Sequence, residues 1–148
     1  MKEYVLIFAF SHNRERVLLI HKQKPLWQRA RFNGVGGKLE KKDFEQGLFC
    51  TPHQFACSRE FLEETGIGIN PGDFEYFATI HNRDGSRVLV FRVFDTYIEH
   101  AKTTTDEEVK TFHVYEVLTR QLPLIENLPW LIALALDPDK PIATVSYK

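Results

Sequence analysis

The stretch Arg59-Glu60-Phe61-Leu62-Glu63-Glu64-Thr65-Gly66-Ile67 places three carboxylates within five residues. On a helix, Glu60, Glu63 and Glu64 stand at i, i+3 and i+4 and share one face. At about 100° per residue, Phe55, Cys57, Phe61 and Leu62 fall on the other side, predicting one core-facing side and one acidic side. Carboxylates at this spacing repel one another by a few tenths of a kcal/mol per pair, roughly, unless a cation sits among them. A divalent metal ion answers that need.

The elements around these residues must position them. Thr51-Pro52-His53-Gln54 opens the helix, with Thr51 as N-cap, Pro52 in the first turn and Gln54 at the capping-box position, and Gly66 closes it. Upstream, Phe32-Asn33-Gly34-Val35-Gly36-Gly37-Lys38-Leu39-Glu40 reads as a short strand running into glycines. Residues 3–11 and 16–23 are β-rich and joined by the polar turn His12-Asn13-Arg14-Glu15, which predicts a hairpin. Residues 24–31 read as a loop, and residues 41–50 have no clean period. Strands are expected over residues 74–81 and 87–98, joined at Asp84-Gly85, and again over 111–117. A second helix is expected over 127–136, with Asn127 as its cap. Many strands and two unequally spaced helices predict an α/β or α+β sandwich rather than a repeating β-α array.

Composition bounds the function classes. The chain of 148 residues is most economically a single domain spanning 1–148, and its 43% hydrophobic content excludes disorder. Nineteen basic against twenty acidic residues leave no global field for a nucleic-acid polymer or a membrane surface. Cys50 and Cys57 are too few for a disulfide scaffold or a zinc site. The apolar run Tyr4-Val5-Leu6-Ile7-Phe8-Ala9-Phe10 is too short to span a bilayer and lacks a cleavage site, so it reads as a buried strand of a cytoplasmic protein.

Together, the glycine strand and carboxylate helix resemble the Nudix box, G-x5-E-x7-R-E-U-x-E-E-x-G-U, where U is aliphatic. Arg59-Glu60, Glu63-Glu64 and Gly66-Ile67 match its second half, with the aromatic Phe61 at the first U position. Gly36-Gly37-Lys38-Leu39-Glu40 begins its first half. The interval from Gly37 to Arg59 is eight residues longer than the motif, so residues 41–50 carry an insertion. The first box glutamate would fall at Thr51 counted from Arg59, whereas the count from Gly37 reaches Asp43; Asp43 and Glu45 are the candidate replacements.

The resemblance implies a Nudix-type α/β/α sandwich with a mixed β-sheet. It also implies Mg²⁺-dependent hydrolysis of a nucleoside diphosphate linked to a further group, with Mn²⁺ as an alternative ion. Glu60, Glu63 and Glu64 then become metal ligands and catalytic groups, with the Gly36 carbonyl joining them and Arg59 orienting a carboxylate. Lys38 suits a phosphate or a box carboxylate. Glu107, in the acidic loop Thr103-Thr104-Thr105-Asp106-Glu107-Glu108, is expected as a further metal ligand or water-activating base, with Glu108 behind it; an exposed acidic turn is the alternative.

Phe32-Asn33-Gly34-Val35-Gly36-Gly37-Lys38 resembles the strand of the MutT-like, oxidised-purine nucleoside triphosphatase branch, in which an Asn reads a purine edge. Asn33 equally suits support of the glycine turn. Glu126 and Asn127 stand where that branch reads the base, Asn127 serving equally as a helix cap, and Trp130 reads as core. Trp27 suits either a base platform or a cover over the core. The favoured substrate is a purine nucleoside triphosphate, oxidised or not, cleaved to monophosphate and pyrophosphate by a monomer or homodimer. ADP-ribose, nucleotide-sugar or dinucleoside polyphosphate hydrolysis and a non-catalytic nucleotide sensor are the alternatives.

Overall fold

The computed structural model describes residues 2–94 and 96–148. Strand β1 (Glu3–Phe10) organises the rest, because it is apolar on both faces. Val5, Ile7 and Ala9 are buried on one side of the sheet; Leu6, Phe8 and Phe10 are buried on the other. A strand of this kind must be covered twice, and the chain does so with helices on both faces.

The parallel partner of β1 is β6 (Arg87–Val93). Its other edge is divided between two antiparallel partners. β4 (Val35–Lys38) takes Tyr4 to Ile7, and β2 (Arg16–His21) takes Ala9 and Phe10. β2 also pairs with β3 (Phe32–Asn33) and β7 (Val109–His113). Beyond β6 lie antiparallel β5 (Glu75–His81) and then β8 (Ala143–Ser146), parallel to β5. These eight strands of the described residues form one mixed sheet.

Helix α1 (Pro52–Thr65) covers the Val5 face with Ala56, Cys57 and Phe61. Helices α2 (Val114–Leu118) and α3 (Leu128–Ala135) cover the Phe8 face through Val114, Val117, Leu128, Leu131 and Ile132. The result is the expected α/β/α sandwich. None of the described helices is long and apolar enough to cross a membrane.

The expected caps of α1 are present. Thr51 Oγ1 accepts from the Gln54 N–H at 3.1 Å, Gln54 Oε1 accepts from the Thr51 N–H at 3.0 Å, and Gly66 adopts the left-handed φ of 77°. The expected split of its faces is rotated, however. Leu62 is 53% exposed, whereas Glu60 is buried with Ala56, Cys57, Phe61 and Thr65. The rotation brings Glu60 against β4, where glycine leaves room for it.

Two further expectations are corrected. The strand over residues 111–117 ends at His113, whose Nδ1 accepts from the Tyr115 N–H at 3.1 Å while Glu116 accepts from the His113 N–H at 2.9 Å. This reciprocal cap starts α2 inside a β-rich run. Asn127 precedes α3 but makes no side-chain cap bond.

Candidate metal and nucleotide site

The site is built on the contact between β4 and α1. A Cβ at Gly37 would lie inside the van der Waals envelope of the Glu60 carboxylate. Glycine is therefore what lets that carboxylate approach the strand. Arg59 fixes it there. Its Nη1 donates to Glu60 Oε1 at 2.8 Å, and the same nitrogen lies 3.0 Å from Glu40 Oε2 and 3.7 Å from Glu63 Oε2. Nε and Nη2 donate to the two oxygens of Asp43 at 3.0 and 2.8 Å, a bidentate pair, and Nη2 also reaches the Lys38 carbonyl at 3.2 Å.

Of the two candidate acids, Asp43, at the position counted forward from Gly37, is the one that meets Arg59. It is 3% exposed and lies in a single helical turn, Lys41–Glu45, that follows β4. Glu45, the other candidate, is exposed. Burial alone would raise the Asp43 carboxyl, but the Arg59 hydrogen bonds and the Glu40 N–H hold it below its ordinary range. The same pairing, led by Asp43, holds the Arg59 guanidinium more firmly charged than usual despite its burial.

The remaining carboxylates have fewer partners. Burial pushes Glu60 above its ordinary range against the pull of Arg59, and Glu63 and Glu64 add to the rise. Burial likewise raises Glu64, whose Oε2 accepts from Thr105 Oγ1 at 3.1 Å and which feels the negative charge of Glu107. Glu63 is exposed. Among the described residues no three His, Cys, Asp or Glu side chains stand grouped as a ready metal cage. In donor chemistry the helix face nonetheless fits magnesium, which takes hard oxygens and keeps several waters. The rises at Glu60 and Glu64 are both led by burial, with the neighbouring carboxylates adding to them.

A cavity of about 610 Å³ opens beside this contact. Gly36 and Gly37 form part of its wall, with Leu6, Ile80, Val88 and Ile125 as apolar surface. Asn33, Asn127 and Trp27, three of the residues expected to bind substrate, are among its lining residues. Asn33 Oδ1 accepts from the Gly34 N–H at 2.8 Å and its Nδ2 donates to Gln28 Oε1 at 3.2 Å, so it supports the glycine turn while facing the cavity. Asn127 Oδ1 is buried and has no hydrogen-bond partner among the described residues. Trp27 is 63% exposed and does not cover the core.

Two expected substrate contacts lie elsewhere: Lys38 and Glu126 are exposed and outside the cavity wall. Lys38 falls one residue past the glycines, and Glu126 precedes the turn that brings Asn127 inward. Trp130, read as core, is 38% exposed. The sequence reading missed Lys22, Lys24 and Gln28, which line the cavity from the loop after β2, and Asn82, Asp84 and Ser86 from the β5–β6 turn. No local motif marks them; only the strand pairing brings them together. Glu107 is buried, and both of its oxygens are engaged, by Lys22 Nζ at 3.0 Å and by the Gln23 and Lys24 N–H groups at 2.6 and 3.3 Å.

No family model matches the sequence, and no curated protein matches it. Solved structures match throughout the fold. The MutT protein of Bacillus halodurans superposes over 100% of this chain and 91% of its own, with a TM-score of 0.67 at 20% identity. A NUDIX hydrolase of Nitrosomonas europaea covers 99% of this chain and 79% of its own, with a TM-score of 0.70 at 16% identity. The NUDIX domain of Shewanella oneidensis NrtR, complexed with ADP ribose, covers 88% and 83%, with a TM-score of 0.67 at 18% identity. The chain has the Nudix fold. Its structural neighbours include MutT proteins.

Two outcomes are expected from this geometry. Gly37→Ala should cost about 1 kcal/mol of stability, because the displaced group is the end of a flexible side chain. It should weaken Mn²⁺ binding about tenfold or more by moving Glu60, read by electron paramagnetic resonance; unchanged affinity would contradict the role given to Gly37. Asp43→Asn should cost about 3 kcal/mol near neutral pH by breaking a buried pair. Because the folded-state pKa of Asp43 is depressed, its contribution is complete above the unfolded value and disappears as pH falls through the folded one. Urea unfolding should accordingly show wild type and variant converging on acidification below about pH 4.

Proposed function

We propose that the chain is a metal-dependent hydrolase of a nucleoside diphosphate linked to a further group, acting by preference on a purine nucleoside triphosphate, oxidised or not, to give monophosphate and pyrophosphate. The observation that carries this reading is the carboxylate of Glu60 held against Gly37, a residue that also lines the cavity. Glu60, Glu63 and Glu64, with the main-chain carbonyl of Gly36, would hold the ion. Bound there, magnesium or manganese would neutralise diphosphate charge and make water more acidic.

The chain's own groups do the rest. Arg59 holds Glu60 in place, an orienting role through its carboxylate. Lys22 and Lys24 bring positive charge to the cavity wall, suited to a phosphate chain. Trp27 offers a flat exposed surface, suited to stacking on a base. The unpartnered Oδ1 of Asn127 supports base reading over helix capping, because a buried acceptor without a donor is costly and a purine N–H would satisfy it. A second reading, ADP-ribose as substrate or ligand, draws support from the Shewanella oneidensis domain that carries that molecule.

Purified protein with Mg²⁺ and a panel of canonical and oxidised nucleoside triphosphates, ADP-ribose, nucleotide sugars and dinucleoside polyphosphates separates these readings. Metal-dependent release of pyrophosphate from a purine triphosphate is expected, with Glu64→Gln about a hundredfold slower, ~3 kcal/mol of barrier. Preferential turnover of ADP-ribose would replace the substrate assignment. Nucleotide binding without turnover of any compound would make the protein a sensor.

A further inference from the structure

We propose that Glu107 is a positioning residue that fixes the neck of the loop over residues 22–31 against the nucleotide cavity, and is not a ligand of the metal. This rests on the nucleotide-site reading above. The loop is closed on itself by two main-chain bonds of 2.8 Å, from Lys22 N–H to the Arg31 carbonyl and from Ala30 N–H to the Lys22 carbonyl. It carries Lys22, Lys24, Trp27 and Gln28 into the cavity wall, and Gln28 in turn receives the Asn33 amide. What fixes this closed loop to the rest of the site is Glu107. One oxygen accepts from the Lys22 ammonium and the other from the Gln23 and Lys24 N–H groups, while the neighbouring Glu108 carbonyl accepts from the His21 N–H at 2.8 Å.

Turning Glu107 towards a metal would strip a half-buried ammonium and two backbone N–H groups of their acceptor. On its other side the same turn reaches α1: Thr105 Oγ1 accepts from the Glu107 N–H at 3.2 Å and donates to Glu64 Oε2 at 3.1 Å. Thr104 Oγ1 also donates to the Glu63 carbonyl. Residues 104–107 therefore clamp the cavity loop to the carboxylate helix, so that the phosphate-facing lysines keep a set distance from Glu64.

Glu107→Gln keeps the size of the side chain and one acceptor but removes the ion pair with Lys22. Mn²⁺ affinity, read by electron paramagnetic resonance without nucleotide, is expected to stay within about twofold of wild type. Amide exchange at Gln23 and Lys24 should accelerate about tenfold, and the affinity for a non-hydrolysable α,β-methylene purine triphosphate should fall about tenfold. Lys22→Met should reproduce that loss of affinity, and the double variant should add little to it. A tenfold or greater loss of Mn²⁺ affinity with unchanged exchange at Gln23 and Lys24 would overturn the proposal and make Glu107 a ligand. Should wild type bind neither Mn²⁺ nor the nucleotide, the hydrolase reading fails, and unaltered exchange in Glu107→Gln would then still refute the latch while faster exchange would support it.

Discussion

The guanidinium of Arg59 is the constraint on which the site depends. Its nitrogens reach both oxygens of Asp43, the Lys38 carbonyl, and the carboxylates of Glu60 and Glu40, so one side chain ties β4, the turn after it and α1 together. A lysine has the charge but not the planar fork that allows a bidentate pair and three further contacts. The arrangement also eases an electrostatic conflict. Three carboxylates on one helix repel, and Arg59 meets Glu60 and Glu63 while leaving Glu64 to Thr105.

This constraint explains why the insertion does not disturb the site. The extra length falls between Asp43 and Arg59, and both ends of that stretch are pinned: the Lys41–Glu45 turn by the Asp43–Arg59 pair, and α1 by its Thr51 cap. What lies between is pushed outward, with Leu48 and Phe49 fully exposed. The approach of Glu60 to Gly37 survives because it is set by Arg59 and by the missing glycine side chain, not by the length of the connecting loop.

Much of the architecture was legible where local chemistry decides it. The caps of α1 rest on residue types a few positions apart, and the double-faced burial of β1 on an unbroken apolar run. The failures share a different cause. Leu62 reads as apolar and Glu60 as charged, yet the side that faces the sheet is decided by a glycine more than twenty residues upstream. The cavity lysines and the partners of Glu107 are set by the pairing of β2 with β7, a contact between distant segments that no local pattern encodes. Asp43 was within reach, since it stands at the motif's interval from Gly37, but its choice over Glu45 required seeing which acid Arg59 meets.

The central claim is that the α1 face beside Gly37 is a divalent-metal site. Anomalous diffraction from crystals soaked in Mn²⁺ tests it most directly. A peak within coordination distance of Glu60 and Glu64 is expected, with Glu107 still bonded to Lys22. A peak elsewhere on the chain, or none at a saturating Mn²⁺ concentration, would contradict it.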